Sequence, residues 1–120
     1  MINIDFIDTK VLTEEMLGVK DWIRNFVVSY GKEVGELYYF FCNDDYLYKM
    51  NVELLGHDFY TDIITFPLNE CDTILSAEFH ISVDRVRENS ETFNRSFKDE
   101  LHRVMAHGVL HLIGFDDLCE

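Results

Sequence analysis

Apolar residues recur along this chain at two periods in turn, every second residue and then every third or fourth, and that alternation confines the fold to an α/β layer structure. Ile2 to Phe6 alternates apolar with polar residues, as an opening strand does. Residues 13 to 30 predict a helix, with Thr13 as N-cap and Met16, Leu17, Trp22, Ile23, Phe26 and Val27 on its buried stripe. Glu36 to Phe41 is rich in aromatics and predicts a strand, followed by a helix from Asp44 to Leu55 that Gly56 ends. Ile63 to Phe66 and Leu75 to Ser82 supply two more strands. Asp84 to Phe93 predicts a helix, and Ser96 with Asp99 resembles a capping box that starts the last one. The expected result is an α/β sandwich of four strands with packed helices. With 120 residues, 48% of them hydrophobic, residues 1–120 are expected to form one domain around one core.

No apolar run is long enough to span a membrane, and no charged-then-apolar leader opens the chain, so a cytoplasmic protein without a membrane partner is expected. Cys42, Cys71 and Cys119 are odd in number and far apart, which predicts reduced thiols rather than a disulfide framework.

The chemistry concentrates near the C-terminus. His107 and His111 are four apart, one helical turn on one face, Gly114 ends the helix, and Asp117 follows where a returning chain could supply a third ligand. Two neutral imidazoles and a carboxylate are a donor set that zinc takes while keeping a fourth position for water. Histidines at this spacing often do no more than sit half exposed. Here Val109, Leu110, Leu112 and Ile113 anchor the helix in a core, so the pair would be presented from a rigid element. The spacing equals that of zinc-protease helices, but the residue after the first His, a glutamate general base in those enzymes, is Gly108.

The run from His107 to Asp117 resembles the YbeY family of bacterial ribosomal RNA maturation factors, whose signature reads His-Gly-x-Leu-His-Leu-x-Gly-Tyr-Asp-His. Ten of the eleven positions match if Phe115 is accepted for the Tyr, and Asp117 stands where the family has its third His. Met50-Asn51, Thr61 to Phe66, Ala77 to Ser82 and Glu100-Leu101 are similar to further family segments in the same order. The resemblance implies a mixed sheet with one antiparallel edge and a metal helix lining a cleft beside it. It implies a metal-dependent endoribonuclease acting on single-stranded RNA, in particular precursor ribosomal RNA near the 3′ end of the small-subunit RNA, with a role in ribosome quality control. One zinc per chain, held by His107, His111 and Asp117, follows as an expectation, with Asp116 as a catalytic or ligand-supporting residue. The expected partners are RNA and ribosomal subunits, not DNA, and a monomer is expected. Two alternatives stay open: a zinc peptidase-like hydrolase, against which Gly108 counts, and a catalytically weakened metal- and ribosome-binding protein. The second is favoured by Asp117 and by Leu55, which occupies a place where many members carry an arginine.

A net charge of −13 is ill suited to RNA, yet the charges are uneven. Residues 84 to 103 hold 5 of the 10 basic side chains: Arg85, Arg87, Arg95, Lys98 and Arg103. These could guide a phosphate backbone toward the histidine helix in a weak, salt-sensitive association. Equally, they could be solvated helix faces paired with Asp84, Glu88, Glu91, Asp99 and Glu100. Asp62 and Glu78 are acidic candidates for a general base or for orienting a zinc-bound histidine. His57-Asp58 is expected to be turn chemistry. His80 and His102 are expected at the surface.

Overall fold

The computed structural model describes residues 1–11, 13–68 and 72–114, without the side chain of residue 13. Among the described residues the elements follow in the order β1 (Ile2–Phe6), α1 (Thr13–Met16), α2 (Val19–Ser29), β2 (Glu33–Cys42), α3 (Asp44–Leu55), β3 (Ile63–Pro67), β4 (Ile74–Ser82), α4 (Val83–Thr92) and α5 (Phe97–Ile113). The sheet order is β1-β2-β4-β3. β1, β2 and β4 run parallel, with Ile4 opposite Tyr39 and Tyr39 opposite Phe79. β3 closes one edge antiparallel to β4, with Thr65 opposite Phe79. This is the mixed sheet with one antiparallel edge that the resemblance implies.

Both faces of the sheet are covered. On one face Leu37, Tyr39, Phe41, Ala77, Phe79 and Ile81 meet α2 and α5 through Val19, Ile23, Val27, Leu101, Val104, Met105 and Val109, all fully buried. The stacked rings of Tyr39 and Phe79, 4.6 Å apart, lie among them. Each Val, Leu, Ile, Phe or Met side chain among them contributes on the order of 1.5–3 kcal/mol of burial. On the other face α3 covers Cys42 and Ile64 with Leu47. The Cys42 thiol donates to Ile81 O, and burial, with Asp84 and Asp44 nearby, pushes its pKa up to about 12. It is a structural thiol; Cys71 and Cys119 lie outside the described residues.

Local signals explain the helix ends. Asn43 accepts from Tyr46 N at the start of α3, and Gly56, at φ 69°, ends it with Gly56 N–H to Val52 O and His57 N–H to Asn51 O. Ser96 accepts from Asp99 N to open α5. The single helix expected over residues 13–30 is instead two, because Gly18 takes the left-handed region at φ 77°. The break turns Leu17 outward to 69% exposure, whereas Val19 becomes a core residue.

Candidate metal centre and its cleft

Helix α5 buries one side against the sheet and presents Arg103, His107 and His111, at i, i+4 and i+8, along another. What lets it lie so close is Gly108. A Cβ there would meet Ile63 Cδ1 and the Phe79 ring at 2.8 Å, so the helix backbone rests directly on the sheet. The histidines then overhang the edge formed by β3. His107 Nε2 and His111 Nε2 are 2.8 Å apart, with ring centroids at 4.4 Å.

The pair opens into a cleft of about 580 Å³. Its opposite wall is the end of α3 and the segment into β3: Asn51, Leu55, His57, Phe59, Thr61, Asp62, Ile63, Ile64 and Thr65. Leu55 thus lies in the cleft itself. Asn51, almost fully buried, donates from Nδ2 to Phe59 O at 2.9 Å and pins this wall. A second depression of about 610 Å³ lies between β1 and α1–α2 and is lined mainly by Ile4, Phe6, Val11, Met16, Leu17 and Val19. It offers no constellation of catalytic side chains.

Zinc–imidazole bonds of about 2.0–2.1 Å require two nitrogens within roughly 4 Å to share one ion. The two Nε2 atoms meet that requirement, and both rings are carried on one rigid helix. Among the described residues no third His, Cys, Asp or Glu joins them in a metal-holding group. Asp117 and Asp116, expected as third ligand and catalytic residue, lie outside the described residues.

Of the two acidic candidates, only Asp62 is in the cleft, where Arg103 Nη2 approaches it at 3.7 Å. Glu78 belongs to the other face of β4 and contacts His80 Nε2 at 3.3 Å. The face follows from parity, since Phe79 between them points at α5. His80 is not at the surface. It is 7% exposed, packed between the rings of Phe40 on β2 and Phe66 on β3, on a strand face expected to be wet that α3 meets. His102 is likewise half-buried, stacked on Trp22 at 4.2 Å, with a pKa below its ordinary 6.5 through burial and then the charge of Lys98.

The basic segment is mostly engaged within the fold. Arg85 pairs with Asp44 and Glu88, Arg87 with Glu15, and Arg95 with Glu100. Glu100, one of the acidic partners open to these arginines, is fully buried and also accepts from Arg103 Nε at 3.0 Å and Nη2 at 2.6 Å. Arg103 alone of these arginines shares the histidine face. Its Nη1 makes no hydrogen bond among the described residues.

No helix among the described residues is long and apolar enough to cross a membrane. The family described as Endoribonuclease YbeY matches residues 4–120. The chain is 44% identical over 117 residues to the endoribonuclease YbeY of Flavobacterium johnsoniae, covering 98% of this chain and 83% of that one. It is 50% identical over 99 residues to the one from Porphyromonas gingivalis, covering 82% of this chain and 65% of that one. The solution structure of TM1509 from Thermotoga maritima superposes with a TM-score of 0.68 at 30% identity, over 97% of this chain and 74% of that one. The signature on α5, the mixed sheet beneath it and these matches agree: the chain belongs to the endoribonuclease YbeY family.

Proposed function

We propose that this protein is a metal-dependent endoribonuclease of ribosomal RNA maturation, cutting single-stranded precursor RNA in the cleft beneath His107 and His111. The observation that carries this is the convergence of two imidazole Nε2 atoms, 2.8 Å apart, in a cleft that also holds Asp62 and is approached by Arg103. His107, His111 and Asp117 would hold one zinc, which when bound supplies a water of near-neutral pKa and polarises a phosphoryl oxygen. The chain's own groups do the rest. Among the described residues Asp62 is the carboxylate in the cleft able to take a proton, a task Gly108 cannot perform. Buried Glu100 fixes the Arg103 guanidinium by two hydrogen bonds, leaving Nη1 to meet a phosphate oxygen as negative charge develops on it. Asp116 is proposed to support the ligand set from the chain beyond α5.

The proposed setting is the cytoplasm, with ribosomal subunits as partners and a monomeric protein. A peptidase would need a glutamate at 108, where even a methyl group collides with Phe79. A weakened, ribosome-binding protein is the second reading, favoured by Leu55 lining the cleft in the place of an arginine. Incubating labelled precursor RNA with the zinc-loaded protein and with His107→Ala separates them. Cleavage by the first and not the second is expected; intact RNA in both supports the binding protein.

A further inference from the structure

The wall facing the histidines carries more exposed aromatic surface than folding explains. Phe59 is 55% exposed although it lines the cleft, and His57 stacks on it with centroids 5.2 Å apart and planes 15° apart. Tyr60 beside them is 52% exposed. The segment is held at both ends. Asn51 binds Phe59 O, His57 N–H closes the end of α3, and the Tyr48 hydroxyl donates to the Asp58 carboxylate. A flat ring on a pinned backbone loses little freedom when another ring lands on it.

Charge narrows what that other ring is. The chain carries −13, Asp62 sits in the cleft, and Arg85, Arg87 and Arg95 are paired inside the fold. Attraction of phosphates therefore supplies little, and Arg103 is the one arginine on the histidine face. A single-stranded nucleic acid held by such a surface must gain affinity from its bases, and stacking on aromatic side chains does that without regard to charge. We infer that Phe59, backed by His57, is a stacking platform for one unpaired nucleobase of the RNA. It would fix the strand so that a neighbouring phosphodiester lies under His107 and His111. This assignment rests on the endoribonuclease reading and adds to it the group that grips the substrate.

The test is fluorescence anisotropy with a short labelled single-stranded RNA, in chelator and, in the cold, with zinc. Wild type, Phe59→Ala and Phe59→Tyr are compared, with a base-free ribose-phosphate strand as second probe. Phe59→Ala is expected to weaken RNA binding about tenfold, as loss of one stacked base does. Phe59→Tyr should bind as wild type, and the base-free strand should bind wild type poorly and lose nothing further in Phe59→Ala. The slope of log affinity on log salt should be about −0.7, the value for roughly one phosphate of a single strand held. Equal RNA affinity in wild type and Phe59→Ala overturns the platform; if wild type still cuts RNA, the endoribonuclease reading survives it. A wild type that neither binds nor cuts RNA ends both.

Discussion

Gly108 lies so close to the ring of Phe79 that a side chain of a single carbon would meet it at 2.8 Å. This contact sets the depth of α5 on the sheet, and so the height of His107 and His111 above β3. It also explains, in steric terms, why the position that bears the general base in zinc peptidases is empty of a side chain here. The Phe79 ring is fully buried and stacked on Tyr39, so it cannot swing aside.

Gly108→Ala should therefore destabilise the protein although alanine is the better helix former. Helix propensity favours alanine by about 1 kcal/mol, while overpacking a core costs about 1–3 kcal/mol. Urea unfolding is expected to show a lower midpoint; a higher one would mean that α5 can lift off the sheet freely.

Arg103→Gln should reduce RNA cleavage, expressed as kcat/KM, by about a hundredfold, the scale of losing one donor to a developing oxyanion. Zinc content should stay unchanged, because Arg103 contacts Glu100 and Asp62 and neither histidine. Loss of zinc in this variant would move Arg103 from substrate binding to support of the site.

The stack of His102 on Trp22 gives a pH signal. Burial holds the folded pKa below 6.5, so under that pH the unfolded chain takes a proton that the fold resists. Stability from this group is present above pH 6.5 and is lost as pH falls toward the folded pKa. Trp22 is the only tryptophan, so its fluorescence should titrate with a midpoint below 6.5. The transition should vanish in His102→Gln.

The Tyr39 hydroxyl is fully buried with no hydrogen-bond partner among the described residues, and burial raises its pKa. Tyr39→Phe should leave the ring stack in place and stabilise the fold by about 1 kcal/mol, the lower range for an unsatisfied buried polar group. Calorimetry checks the sign.

Patterns local in sequence were legible from it, and patterns made by a second layer were not. Gly56 after α3, and Ser96 before and Gly114 after α5, are local end signals, and both helices form where those signals predict. The His107 and His111 pair was legible for the same reason, one turn on one helix. Gly18 could have been tolerated inside a helix, and only its positive φ shows that the chain turns there. His80 and His102, expected at the surface, are covered by residues from elsewhere, Phe66 across the sheet and Trp22 on α2, and Glu100 is buried under arginines three residues on and five before. Nothing local in the sequence distinguishes Phe59 from the other aromatic residues; only its exposure in the cleft wall sets it apart.

The most direct test of the central claim is zinc content by mass spectrometry on protein purified without chelator or nickel, beside His107→Ala and His111→Ala. One zinc per chain is expected in the parent protein and close to none in either variant, with each variant still folded by circular dichroism. A parent protein without zinc, or variants that keep it, would contradict a metal centre at this pair of histidines.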